Sequence, residues 1–168
     1  MDILFNPAVR IIVRLALGGI LVYASWHKIT DPPDFAKIIF NYKMFPASTI
    51  NLLAIYVPWI ELIAGFAIIS GIGSRGASFL AGGMFIFFIC ALSYNLSREC
   101  PTICGCFSTF EDGKSLTPEQ KFDEMRKEIW IDVGCLLLAA HVFFGSIVAA
   151  RSVFADKEGA AGESSAAA

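Results

Sequence analysis

The 168-residue chain is 56% hydrophobic and only 17% charged, with a formal net charge of −2 at pH 7. A water-soluble domain carries about 25% charged residues, so this composition excludes an ordinary soluble domain. The mean hydropathy of +0.64 and the 15 phenylalanines favour an integral membrane protein.

Four segments are apolar and long enough to cross a bilayer as helices, which takes about 20 residues each. They are 8–26, 50–72, 77–96 and 129–150. The first is not expected to be a cleavable signal peptide, because it is too long and no A-x-A type site follows it. The sequence therefore predicts an all-α, four-helix transmembrane bundle over residues 1–151. The small polar residues 152–168 are expected to form a disordered tail.

The connections between the spans differ in length. GIGSRG predicts a sharp reversal between the second and third spans. The first loop contains FAKIIFNYKMF, where lysines alternate with apolar residues; this predicts a short interfacial helix, capped by Asp34. The loop between the third and fourth spans carries a cysteine cluster, and its Thr117–Gln120 segment predicts a helix start.

The even number of spans places both long loops on one side of the membrane. Lysines and arginines are more numerous on that side, but they are spread over longer segments that also carry carboxylates, so the positive-inside rule does not decide the orientation. Clustered cysteines that work as disulfides belong in an oxidising compartment. We therefore predict a multi-pass protein of the bacterial inner membrane, with the cysteine loop in the periplasm and both termini in the cytoplasm.

The cysteine loop reads RECPTICGCF and contains a C-x-C pair, Cys104 and Cys106, with Cys100 four residues before it. A disulfide across one intervening residue closes a small, strained ring, and strain makes a disulfide easier to reduce. Such a bond suits thiol–disulfide exchange, with Cys100 placed to attack or resolve it. Cys90 and Cys135 lie inside predicted spans, where a cysteine is usually a small core residue.

Two other interpretations of the cysteine loop stay open. The pair could be a permanent disulfide in a non-enzymatic accessory subunit that assembles a membrane or periplasmic complex. Three thiolates could also bind Cu(I) or Zn(II), although a tetrahedral site would want a fourth ligand and His27 is the only histidine on the loop side. Exchange is the leading hypothesis, and no metal is expected.

Charged residues inside predicted spans are costly and therefore informative. Glu61 lies near the middle of the second span, where it either bonds to a neighbouring helix or handles protons. Asp132 lies near the loop-side end of the fourth span. Arg10 and Arg14 share a face of the first span and are expected to snorkel to the cytoplasmic surface.

These residues form recognisable motifs. The stretch WHKITDPPDFAKIIFNYKMFPASTINLLAIYVPWIELIAGFAIISGIG has a lysine before a D-P pair, N-Y-x-x-x-P, and P-W-x-E followed by G-x-x-x-x-x-G. CGCF is followed by Ser108 where C-G-C-F-G is expected. On these motifs the chain resembles the DoxX-like superfamily of small four-helix membrane proteins, and within it the MauE (methylamine utilisation) branch.

The resemblance implies a membrane component of thiol–disulfide chemistry. MauE-type proteins are associated with a thioredoxin-like partner in maturing a disulfide-rich dehydrogenase subunit. Carried over by motif, Cys104 and Cys106 are the candidate redox pair, while Pro58 and Trp59 match motif positions. The other matching motif positions are Lys28 and Glu61.

The similar layout of quinone-linked disulfide-generating membrane proteins implies a quinone as a possible cofactor. Its candidate neighbours in this chain are Trp26, His27, Lys28, Trp59, Glu61 and Asp132. Lys28 could stabilise a thiolate or a quinol anion, because a nearby cation lowers a thiol pKa. The expected partners are a periplasmic thioredoxin-fold protein, a client protein that needs disulfides, and lipid, with no nucleic acid.

Overall fold

The computed structural model describes the backbone of residues 6–100 and 116–166, and the side chains of residues 6–100 and 116–148. Within these residues the chain forms five helices and no strand. They are α1 (Pro7–Thr30), α2 (Pro32–Asn41), α3 (Ala47–Ser70), α4 (Ser74–Ser97) and α5 (Pro118–Ala166). The predicted all-α fold is confirmed.

Four helical stretches are long and apolar enough to cross a membrane: α1, α3, α4 and the Pro118–Val148 part of α5. The prediction of four spans is confirmed. α5 begins about three turns before the predicted span, because a capping box starts it. The Thr117 amide donates to Gln120 Oε1 at 2.8 Å, and the Gln120 amide donates to Thr117 Oγ1 at 3.4 Å.

The far end of α5 includes the segment 152–166, which composition assigned to a tail. The backbone is helical to Ala166. Alanine is the best helix former, and extending an existing helix avoids the cost of nucleating a new one. The division of the chain into a bundle and a tail at residue 151 stays a prediction.

The helices pack as two close pairs, α1 with α3 and α4 with α5. Gly18 and Gly65 lie at the α1–α3 contact: a Cβ added to Gly65 would lie 3.0 Å from the Gly18 carbonyl oxygen and 2.9 Å from Val22 Cγ2. Such close backbone approach is how helices associate in lipid, where apolar burial alone does not drive them together. The α3–α4 reversal occurs at Gly71 and Gly73, whose φ values are +83° and +65°.

The short helix α2 covers the loop-side end of the bundle. Its buried residues Phe35, Ile38 and Ile39 pack in one cluster with Leu92 of α4 and Met125 of α5. The predicted helix is therefore present, and its apolar face points into the bundle. The prediction of its N-cap is wrong, however. Asp31, rather than Asp34, caps the helix, since Asp31 Oδ1 accepts from the Asp34 amide at 3.1 Å.

A second cluster of buried residues fills the half of the bundle near the termini. It includes Leu17, Ile68, Phe85 and Cys135. Cys135 is thus the small core residue predicted from sequence. The same prediction is wrong for Cys90, which lies on the outer surface of α4.

Candidate functional site

A buried ion pair joins α1 to α3 in the loop-side half of the bundle. Lys28 Nζ donates to both carboxylate oxygens of Glu61 at 2.8 Å, and the side chains are 2% and 3% exposed. Lys28 lies near the end of α1, and a long helical side chain points back towards the helix N-terminus. Its ammonium group therefore reaches towards the middle of the bundle.

Aromatic rings enclose this ammonium group. Lys28 Nζ lies 5.3 Å from the ring centroids of both Phe35 on α2 and Phe88 on α4. The faces of aromatic rings attract cations, most strongly where water is excluded. α2 and α4 thus stabilise a charge that would be costly to hold in an apolar interior.

α5 adds two carboxyl groups, Glu128 and Asp132, one helical turn apart. Glu128 is 6% exposed and Asp132 is 1% exposed. Asp132 interacts electrostatically with Glu128, and also with Lys28 and Glu61. We call these four residues the buried charge cluster.

The hydrogen bonding of the α5 carboxyl groups is incomplete among the described residues. Both oxygens of Asp132 and Oε2 of Glu128 are buried and accept no hydrogen bond there. Buried polar groups are nearly always hydrogen-bonded, and exceptions call for an explanation. Ionisable residues inside a membrane commonly mark ion paths and proton relays. The buried charge cluster has the chemistry to take up and release protons.

The end of α4 connects the cysteine loop to this half of the bundle. The Cys100 amide donates to the Asn95 carbonyl at 3.1 Å, and Glu99 has a left-handed φ of +53°, so α4 stops sharply there. Asn95 is fully buried, and its Oδ1 has no hydrogen-bond partner in the described parts of the chain. Cys100 carries a half-buried free thiol. Cys104 and Cys106 lie outside the described residues.

The six predicted quinone neighbours separate into two groups. Lys28, Glu61 and Asp132 lie together in the buried charge cluster. Trp26 and Trp59 are 62% and 51% exposed on the outer surface. The third outward residue is His27, which packs edge-on against Tyr23 at 5.2 Å between ring centroids.

One ring cannot touch all six residues, so as a set they do not fit a quinone. Quinone binding stays a prediction. The ammonium group of Lys28 faces Glu61, where the sequence suggested a thiolate or a quinol anion. Among the described residues, no three His, Cys, Asp or Glu side chains are arranged to hold a metal ion.

Three features of the site were missed from sequence. They are Glu128, Asn95 and the Lys28–Glu61 pairing. Glu128 precedes Asp132 by four residues, a spacing that puts both on one face of a helix, and this signal was available. Asn95 carried no such signal.

The side chain of Arg14 bonds to the end of α3. Its Nε donates to the Ile68 carbonyl at 2.8 Å, and a guanidinium nitrogen donates to the Ile69 carbonyl at 3.0 Å. The last carbonyls of a helix lack partners within the helix, and the helix dipole favours a cation there. Arg14 therefore caps α3, and its guanidinium lies beside Gly71 in the α3–α4 turn, at the end of the bundle towards which it was expected to snorkel.

Fold and site together define a multi-pass α-helical membrane protein whose bundle encloses ionisable residues at one end. Residues 6–149 match the family described as methylamine utilisation protein MauE. The chain belongs to this family. The resemblance to MauE stated from the motifs is confirmed.

Curated relatives of this chain carry the name methylamine utilization protein MauE. The protein from Methylophilus methylotrophus is 28% identical over 102 residues, 60% of this chain and 54% of the relative. The Methylorubrum extorquens protein is 30% identical over 64% of this chain and 58% of the relative. The Paracoccus denitrificans protein is 25% identical over 63% and 58%. The matches thus span little more than half of each relative. No solved structure matches the chain significantly.

Proposed function

We propose that the protein is a membrane component of thiol–disulfide exchange in the bacterial inner membrane. It passes a disulfide between Cys104–Cys106, on the periplasmic side, and a thioredoxin-fold partner. The relatives are named for methylamine utilisation. We propose that the client protein, which receives or loses the disulfide, serves the same process.

The observation that carries this proposal is the position of the buried charge cluster. Asn95 and Cys100 share the hydrogen bond that ends α4, and Lys28, Glu61 and Asp132 occupy the same half of the bundle. Thiol–disulfide exchange runs through thiolates, so protons leave and return at the cysteines. Buried ionisable groups in the half of the bundle where α4 ends at Cys100 could exchange these protons, and this supports the proposal.

The exchange balances without another reactant. A thiolate of the partner attacks one sulfur of the Cys104–Cys106 disulfide, which forms a mixed disulfide and releases the other cysteine as a thiolate. The second partner thiolate then displaces the remaining cysteine. The partner loses two electrons to become a disulfide, and the Cys104–Cys106 pair gains them and takes up two protons. Cys100 can compete in this step: its attack on the bonded cysteine of the pair would release the partner in its reduced form and leave a disulfide between Cys100 and that cysteine.

The first test is the reduction potential of the cysteine loop in the purified protein, titrated in glutathione buffers and measured by thiol alkylation and mass shift. Exchange predicts a potential above about −250 mV, in the range of catalytic disulfides. A potential below about −300 mV would identify a structural disulfide and an accessory role. Thiols that react only after a chelator is added would instead identify a metal site.

The second test addresses the proton step. Asp132→Asn keeps the shape of the side chain but removes its titration, so oxidation of reduced thioredoxin by the protein should slow by about a hundred-fold, a typical contribution of general acid–base catalysis. Its dependence on pH should also change. Asp123→Asn is the matched control, because Asp123 is exposed on the same helix and undergoes the same chemical change. An unchanged pH profile in Asp132→Asn would remove the cluster from the mechanism.

A further inference from the structure

A groove runs along the outer surface between α4 and α5. Its volume is about 250 Å³. The small residues Gly82, Gly83 and Ala139 line part of it, and Phe79 and Phe143 form walls with their ring centroids 6.2 Å apart. We call it the α4–α5 groove. Its shape and apolar lining suit a hydrocarbon chain.

A cation lies at one end of this groove. Arg75, the second residue of α4, is one helical turn from Phe79, and its guanidinium donates to the Ser146 carbonyl of α5 at 3.0 Å. The bond spans the two helices that form the groove, and the side chain stays exposed. Because Arg75 is at the end of a membrane-spanning helix, it lies at the depth of lipid headgroups.

The surroundings of Arg75 are positive. Arg10 packs against Gly145 of α5, and Arg14 lies one turn further along α1. No aspartate or glutamate occurs in 7–20, 62–81 or 133–148, the described segments that form this end of the bundle. An anion placed here meets the attraction of these arginines, with no opposing carboxylate in those three segments.

We propose that the α4–α5 groove and Arg75 together bind one anionic phospholipid. Its phosphate pairs with the Arg75 guanidinium, in the charge-assisted hydrogen bonding that arginine forms with phosphate. One acyl chain lies along Gly82 and Gly83 and contacts the Phe79 and Phe143 rings from the outer side of the groove. Basic pockets between transmembrane helices are known to take such headgroups. The proposal is independent of the cysteine chemistry.

The charge at the groove selects among occupants. A long-chain quinone would fill the apolar part but has no anionic group for Arg75. A zwitterionic lipid has a phosphate, but its own cation meets the positive field of the arginines. Inorganic phosphate can use Arg75 but cannot use the groove. Only an anionic phospholipid uses both.

Thermal unfolding of the full chain in a neutral detergent tests the site, because a ligand that binds only the folded state raises Tm. The added compounds are phosphatidylglycerol, phosphatidylcholine, a long-chain quinone and inorganic phosphate, each at the same ratio to protein. We expect the largest rise in Tm with phosphatidylglycerol. An equal rise with any of the other three would overturn the proposal.

Two variants separate the headgroup from the chain. Arg75→Gln removes the cation, and Gly83→Phe fills the groove, since a Cβ at Gly83 meets no atom within 4 Å. Each should abolish the extra rise given by phosphatidylglycerol. Gly19→Phe is the matched control, because Gly19 on α1 is equally open and lies outside the groove. Loss of the rise in this control, or its persistence in both groove variants, would contradict the site.

A second measurement, of bound lipid, applies to variants whose low stability would obscure a change in Tm. Native mass spectrometry counts the lipids that stay bound after phosphatidylglycerol is added. We expect one retained lipid on the wild-type protein and on Gly19→Phe, with at least about a ten-fold loss of affinity in Arg75→Gln. That loss corresponds to about 1.4 kcal/mol. Equal retention by Arg75→Gln would overturn the assignment of the headgroup.

Discussion

The two ends of the bundle hold their buried charges by different means. In the loop-side half, Lys28 is paired with a carboxylate, and Glu128 and Asp132 add further carboxyl groups with unfilled hydrogen-bond capacity. In the terminus-side half, Arg14 is bonded to carbonyls at the end of α3, and no aspartate or glutamate occurs in 7–20, 62–81 or 133–148.

The difference shows which buried charges are explained by helix capping and which call for another explanation. An arginine on the last carbonyls of a helix satisfies groups that need a partner in any case, so Arg14 requires no further role. A buried lysine–carboxylate pair is no more stable than well-packed apolar residues of similar size. Additional buried carboxyl groups increase the cost. The loop-side cluster is therefore the candidate functional site, whereas capping of α3 accounts for the position of Arg14.

The largest effect on stability is expected from separating the buried ion pair. Glu61→Leu leaves the Lys28 ammonium buried without its carboxylate, which should cost about 3–5 kcal/mol of unfolding free energy. Lys28→Met should cost a similar amount. The measurement is unfolding of the purified protein by denaturing detergent.

The double variant Lys28→Met, Glu61→Leu is the control for this prediction. Because it removes both charges, it should recover most of the lost stability and be more stable than either single variant. Single variants that unfold like the wild-type protein would mean that the pair is not buried in the membrane-embedded protein.

The next largest effect on stability is expected in the terminus-side half, where α1 and α3 are held together by close packing at Gly18. A Cβ at Gly18 would collide with Ile69 and lie 2.8 Å from the Gly65 carbonyl oxygen. Gly18→Ala should therefore destabilise the α1–α3 pair by about 1–3 kcal/mol. Gly19→Ala, next to it and facing open space, should cost nothing. Equal stabilities of the two variants would show that the close approach of α1 and α3 is absent.

A smaller effect is expected at the start of α5. Thr117→Ala removes the hydroxyl that accepts from the Gln120 amide and should lower the unfolding free energy by about 1 kcal/mol. Thr117→Ser is the matched control: it keeps the hydroxyl, and serine caps a helix at least as well as threonine, so this variant should be neutral. Hydrogen exchange at the first turns of α5 would locate the change. Unaltered exchange there in Thr117→Ala would argue against the capping box.

The smallest effect is expected at the exposed pair of Lys127 and Glu124. Their charged atoms are 2.7 Å apart, yet the side chains are 65% and 44% exposed, and at such exposure the gain in attraction is offset by side-chain ordering and salt screening. Lys127→Gln should leave stability unchanged at any salt concentration. A loss comparable to that of Glu61→Leu would erase the distinction between buried and exposed pairs.

Composition and periodicity predicted the four spans, the α3–α4 reversal and the start of α5 from sequence. These features follow from local properties: apolar length, glycine in a turn and a threonine–glutamine capping box. The N-cap of α2 was assigned to the wrong aspartate. Asp31 precedes the helix and Asp34 lies in its first turn, and only the hydrogen bond to Asp31 distinguishes them. Cys90 and Cys135 could not be separated either, because both lie in apolar runs.

The amino-acid sequence alone was enough to identify a four-helix membrane protein that resembles MauE, with a cysteine loop between its last two spans. The packed helices were needed to show that Lys28 meets Glu61, that Asp132 joins them, and that Trp26, His27 and Trp59 face outward. The physical reason is that hydrophobic length specifies a membrane helix but not its rotation about its own axis. That rotation depends on how the helices pack, and it determines which side chains share the interior.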